Sequence, residues 1–212
     1  SWVLDRQHQP RVAVTSDGGT NMSIYWRDSK NDKWKKLITY DTVEPKSDSF
    51  SPESIDFNGT LYVTALDSST VNGAKTKALF QYDPVIGKLA EKPLLSLKGY
   101  DFEGQIMYDN QAQKTLGVAY KSDAQGAVWF DPVMRADQED VDKQLSGTVN
   151  MLSCAKCSST KYLVVNAYSD RQSPVYFLYE RATHKLTLMA SSRPWLNSAA
   201  MAEQDFVRIK AR

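Results

Sequence analysis

A single repeated pattern constrains this chain more than any other feature. An aromatic residue followed by an acid occurs at Tyr82-Asp83, Phe130-Asp131 and Tyr179-Glu180, at spacings of 48 and 49 residues. An earlier copy, Trp26-Arg27-Asp28 followed by Trp34-Lys-Lys-Leu37, stands 56 residues before Tyr82 and has a longer turn. Each unit also carries an apolar strand that ends just before an acid, at Asp17, Asp67, Asp123 and Asp170. A fourth segment with a Lys-Leu start follows, as at Lys88-Leu89 and Lys185-Leu186.

The clearest strand-like runs are residues 11–15, 22–27, 61–66, 78–82, 116–120, 127–130, 162–167 and 175–179, separated by turns rich in Asp, Asn, Gly, Ser and Pro. No long stretch shows helical periodicity. Strands recurring at a period of roughly 40 to 55 residues are the signature of propeller blades. A sandwich would alternate strands and turns without repeating its own pattern at fixed pitch. The expected fold is all-β, a partial β-propeller of about four four-stranded antiparallel blades, at residues 1–45, 46–98, 99–148 and 149–192. An arc of this kind leaves apolar blade faces uncovered, so the chain is expected to self-associate.

Composition narrows the classes. A net charge of +1 supplies no field for binding nucleic acid. The longest apolar runs, such as 162–165, fall far short of the roughly 20 residues of a membrane span. The segment Ser1-Trp2-Val3-Leu4-Asp5-Arg6 has neither the charged leader nor the apolar stretch of a signal peptide. Two cysteines are too few to fix the redox compartment. A soluble protein is expected, with cytoplasm or periplasm left open.

The residues themselves point to a family. Val164-Val-Asn-Ala-Tyr-Ser-Asp170, then Pro174-Val-Tyr-Phe-Leu-Tyr179 and Lys185-Leu186, resembles the last propeller blade of bacterial prolyl oligopeptidase-type serine peptidases. Pro194-Trp-Leu196 and Ala202-Glu-Gln-Asp-Phe-Val-Arg-Ile-Lys-Ala-Arg212 resembles the linker and opening strand that lead from such a propeller into an α/β-hydrolase domain. This assigns 1–196 to the propeller and 197–212 to the linker. Trp2-Val-Leu-Asp5, Arg11-Val-Ala-Val and Trp34-Lys-Lys-Leu37 are similar to an internal blade. The resemblance implies a non-catalytic region that filters peptides on their way to a hydrolase site, with peptide substrates and the hydrolase domain as partners. The alternative is a free-standing propeller scaffold that binds protein or ligand; a carbohydrate-active propeller is a weaker third reading.

A hydrolase of that family carries its nucleophile in Gly-x-Ser-x-Gly, which this sequence does not contain. The two histidines read as a polar-stretch residue, His8, and a solvent-exposed turn residue, His184. Cys154-Ala-Lys-Cys157 lacks a second ligand pair for zinc and reads as a turn between the first two strands of a blade, with a local disulfide left open but not expected. Thr15-Ser-Asp-Gly-Gly-Thr20 resembles an Asp-box turn but does not recur, and its glycines suit a strand-to-strand turn. The acids Asp137, Glu139, Asp140 and Asp142 read as a solvated loop or short helical turn inserted in the third copy. Trp26, Trp34, Tyr82, Trp129, Phe130, Tyr176 and Tyr179 read as packing between blades. No residue is assigned as catalytic, cofactor-binding or metal-binding, and no cofactor is implied.

Overall fold

The computed structural model describes residues 1–44, 48–71, 74–207 and 209. The chain divides into two compact units, 1–103 and 104–212. The first holds an antiparallel meander of β1 (Trp2–Leu4), β2 (Pro10–Ser16), β3 (Asn21–Arg27) and β4 (Trp34–Asp41). A second meander is built from β5 (Phe50–Ile55), β6 (Leu61–Val71), β7 (Ala74–Asp83) and β8 (Lys88–Leu89). The second unit holds β9 (Glu103–Asp109), β10 (Lys114–Lys121) and β11 (Gln125–Trp129), then helix α1 (Pro132–Gln144). Its other sheet comprises β12 (Val149–Ser153), β13 (Tyr162–Tyr168), β14 (Val175–Glu180) and β15 (Lys185–Ser191). The fold is all-β and propeller-like, with every sheet in simple up-and-down order.

Within each unit the two sheets share one core. Val12 and Ile24 of the first sheet meet Phe50, Ile55, Leu61, Val63, Phe80 and Tyr82 of the second. In the other unit, Leu116 and Trp129 meet Leu152, Leu163, Val165 and Tyr179, with Met134 and Val141 of α1 joining them. Alternation explains this pattern, because Leu61, Val63 and Ala65 are two apart and project from one side of β6.

Two expectations need correction. The third sheet has three strands, and the chain that would form its fourth runs as α1 instead. The acids at 137–142 therefore lie on a 13-residue helix between the third and fourth sheets, and not in a solvated loop. The reason is local. At the end of the third strand of three sheets an acid caps the following turn: Asp28 accepts from the Lys30 N–H, Asp83 from those of Val85 and Ile86, and Asp131 from those of Val133 and Met134. The N–H four residues on then bonds back to that acid's carbonyl, at Asp32, Gly87 and Arg135. Asp32 and Gly87 have φ of 59° and 73°, which turns the chain back into a fourth strand. His184 holds the same place before β15 with φ 55°. Gly, Asp and His tolerate this left-handed conformation better than most residues. Arg135 remains right-handed, and the Asp131 cap with Pro132 behind it propagates a helix.

A buried acid also closes the first turn of three sheets. Asp5 accepts from the N–H groups of Gln7 and Gln9, Asp56 from those of Asn58 and Thr60, and Asp109 from those of Gln111 and Ala112. All three are at most 8% exposed. In the fourth sheet this position is Cys154, and Cys154 and Cys157 form a disulfide across the turn. The disulfide that the sequence left open but did not favour forms here, because the turn brings the two Cα atoms to 5.1 Å.

In the tail, 202–207 and Ile209 form no strand. Arg208 and 210–212 lie outside the described residues, as does the expected blade boundary at 45 and 46.

Replacing Gly87 with alanine tests the turn rule. The added Cβ meets only the Tyr82 hydroxyl, at 3.9 Å, so any cost is conformational. A loss of about 1–2 kcal/mol is expected in urea unfolding; a neutral change would show that the left-handed residue does not set the turn.

Candidate functional site

A cluster of charged and titratable side chains lies in the second unit, where α1 meets the turn after β14. Asp137 is one helical turn from Met134 and one from Val141 on the buried face of α1. A carboxylate on that stripe requires a partner, and Arg181 provides it: Nε donates to Asp137 Oδ2 at 2.8 Å. The same guanidinium donates to the carbonyls of Cys157 at 2.6 Å and Thr160 at 3.0 Å, and a further nitrogen lies 2.9 Å from the Met134 sulfur. Both side chains are largely buried, 14% exposed for Arg181 and 9% for Asp137. Burial pushes the Asp137 carboxyl up from its ordinary value, and the Arg181 charge pulls against that.

One turn further along α1, Asp140 accepts from the Tyr179 hydroxyl at 2.7 Å. That bond, with contributions from His184 and Gln144, holds the Asp140 carboxyl below the usual carboxylate range. Burial and the adjacent Asp140 charge push the Tyr179 hydroxyl well up, so it stays protonated as a donor. His184 Nδ1 lies 3.0 Å from the Tyr179 oxygen and 3.2 Å from Asp140 Oδ2. The Gln144 amide donates to Asp140 and to the His184 carbonyl. His184 is thus an exposed turn residue, as expected, but it is fastened to two partners that no sequence motif joined to it.

A general base acts on a proton within hydrogen-bond reach. The hydroxyl within reach of His184 is that of Tyr179, already committed to Asp140. The arrangement therefore fastens α1 to the β14–β15 turn. His8 sits in the β1–β2 turn with φ 61°, and its N–H donates to the Asp5 carbonyl. Among the described residues no serine or cysteine side chain is hydrogen-bonded to either histidine. Among them, too, no group of three His, Cys, Asp or Glu side chains is placed to hold a metal ion.

The Cys154–Cys157 turn belongs to the same cluster. Arg181 donates to its Cys157 carbonyl, and Asp109 Oδ2 accepts from the Ser158 N–H at 2.7 Å, linking the first turn of the third sheet to that of the fourth. Burial alone would raise the Asp109 carboxyl; N–H donors from Ala112, Ser158 and Gln111 outweigh it and hold the group below its ordinary value. Among the aromatics, Tyr82, Trp129 and Tyr179 are core residues, whereas Trp34 is 42% exposed.

In the first unit an open recess of about 700 Å³ is lined by Arg11, Trp26, Asp56 and Tyr82, among others. Its buried acids are already engaged, Asp5 with Arg11 at 2.7 Å and Asp56 with the Tyr62 hydroxyl at 3.0 Å.

Comparison with known proteins finds the chain 31% identical, over 219 aligned residues, to dipeptidyl aminopeptidase BIII of Pseudoxanthomonas mexicana. The alignment takes in 100% of this chain and 29% of that protein, so the chain spans less than a third of its curated relative. No family model matches the chain, and no solved structure does.

Two measurements check the cluster. Arg181→Met should cost about 3–5 kcal/mol in urea unfolding by leaving Asp137 buried without its partner, and adding Asp137→Leu should restore most of it; equal losses in both variants would mean that the pair carries no such coupling. Asp109 has a depressed folded-state pKa, so its stabilisation is complete above the ordinary value of about 4 and declines as pH falls through the lower one. Asp109→Asn should flatten that acid limb of the urea midpoint. A limb of unchanged steepness would remove Asp109 as its origin.

Proposed function

We propose that this chain is the non-catalytic propeller region of a prolyl oligopeptidase-type serine peptidase, and that it limits which peptides reach the hydrolase site of the parent protein. The single observation that carries the reading is the alignment, which uses the whole of this chain and a minor part of a dipeptidyl aminopeptidase. The fold supports it, since repeated up-and-down sheets are the architecture that the resemblance implies. The cluster around Arg181 supports it in a second way, because its hydrogen bonds are spent on holding α1, the disulfide turn and β14 together.

On this reading the substrates of the parent enzyme are short peptides with a free N-terminus, cut to release dipeptides. Selection is steric: a wall of stacked sheets admits a thin extended chain and refuses a folded one. The walls must be rigid to discriminate, and the buried Asp137–Arg181 pair with the capped turns supplies that rigidity.

The test is made on the product of the complete gene. It should release dipeptides from short chromogenic peptides and leave a folded protein of comparable sequence intact, while the 212-residue chain alone should show no hydrolysis. A gene product without a hydrolase domain would overturn the reading in favour of a free-standing scaffold. So would a parent enzyme that cuts long chains as readily as short ones.

A further inference from the structure

The Cys154–Cys157 bond has a task that ordinary cross-linking does not explain. It joins residues three apart. A bond across so short a loop removes little freedom from the unfolded chain, because that gain grows with loop length. Its effect is therefore local, on the turn itself. In the first three sheets this turn is closed by a carboxylate of its own, at Asp5, Asp56 and Asp109. Residues 154–160 contain no acid. A thiol is a weak acceptor, so closure of the fourth turn rests on the two sulfurs being joined.

Several bonds of the second unit pass through this turn. The Ser158 N–H donates to Asp109 Oδ2 at 2.7 Å, and the Cys157 and Thr160 carbonyls accept from Arg181 at 2.6 and 3.0 Å. The first ties the fourth sheet to the third; the other two hold the guanidinium that pairs with Asp137 of α1. The two sulfurs are unequally open to attack. Cys157 is 6% exposed and belongs to the core, whereas Cys154 is half-buried beside exposed Ala155 and Lys156. The Lys156 charge draws an anionic thiolate toward Cys154. The Cys157 sulfur lies 3.3 Å from the Cys154 carbonyl, where a thiol can donate. The buried sulfur of a reduced pair thus has an acceptor in place, and the core need not open to receive it.

We infer that Cys154–Cys157 is a redox-sensitive clasp: a dithiol reductant opens it, and the third and fourth sheets lose the bonds that run through residues 157–160 while their cores stay packed. The exchange balances. One reductant thiolate bonds to the Cys154 sulfur, the S–S bond breaks, and Cys157 leaves with the electron pair and takes up a proton. The second reductant thiolate then displaces Cys154, which leaves as a thiol while the reductant closes to its own disulfide. The protein gains two electrons and two protons. Such a clasp operates whether or not the parent protein is a peptidase.

Hydrogen exchange read by mass spectrometry on the 212-residue chain, with and without dithiothreitol, tests the clasp. Alkylation of the reduced, folded sample should trap both thiols. Peptides spanning 154–161 should then exchange at least about tenfold faster, and those spanning 109–113 measurably faster, while β10 and β13 stay protected. Oxidised glutathione should restore the slow exchange. The double variant C154S/C157S should exchange like the reduced chain and ignore dithiothreitol. Unchanged exchange at 154–161 or at 109–113 in the reduced chain overturns the inference. Loss of protection throughout β10 and β13 does so too, since it would make the bond a staple of the whole unit. So does a disulfide that dithiothreitol leaves intact in the folded chain, or a pair of thiols that oxidised glutathione fails to rejoin.

Discussion

Everything in this chain depends on the need of one pleated sheet to be covered by another. A meander of three or four short strands has two faces and too little interior to stand alone. In each unit the solution is the same: the inward residues of two sheets interdigitate, Val12 and Ile24 with Phe50 and Leu61 in one unit, Leu116 and Trp129 with Leu163 and Val165 in the other. Turns then become the second problem, because a packed pair of sheets holds strand ends close to apolar surface, where unsatisfied N–H groups are costly. The buried carboxylates of Asp5, Asp56 and Asp109 answer it, each accepting two backbone N–H groups with one oxygen and keeping the other for a partner elsewhere.

Much of this could be read from the sequence, and the reason is periodicity. Strands β2, β3, β6, β7, β10, β11, β13 and β14 coincide with the apolar runs, because alternation along a strand and repetition along the chain report the same burial. The helix was missed for an instructive reason. Asp83-Pro-Val-Ile-Gly87 and Asp131-Pro-Val-Met-Arg135 begin alike, and both start with the same capped turn. They part at the fifth residue, where glycine allows the chain to reverse and arginine does not. Three strong repeats made a fourth strand the natural expectation after Phe130, and one residue overruled it.

The cluster around Arg181 was hidden for the same cause. Once 132–144 is drawn as a helix, Asp137 falls on a stripe with Met134 and Val141, and a carboxylate there demands a cation. Read as a loop, the same acid is merely solvated. Arg181 offered no signal of its own, since its place after Glu180 looks like any turn residue. The disulfide was legible only by analogy: Cys154 occupies the place that a carboxylate holds in the other three first turns, a correspondence that appears when the hydrogen bonds are compared and not when the letters are.

Replacing a strand with a helix has consequences that run through the second unit. A fourth strand would have satisfied its backbone by pairing with β11; α1 satisfies its own and presents side chains instead, so its attachment must come from them. Met134 and Val141 supply apolar contact, and Asp137, Asp140 and Gln144 supply directed bonds to Arg181, Tyr179 and the His184 carbonyl. The polar network is thus the counterpart of a missing ladder. Such bonds fix orientation as well as position, which hydrophobic contact alone does not. A catalytic assembly would keep a proton acceptor free for substrate, whereas here Asp140 and Asp137 each bind a donor from the β14 end of the neighbouring sheet. The chemistry that resembles an acid–base site is therefore better understood as the means by which one irregular repeat stays locked to a regular one.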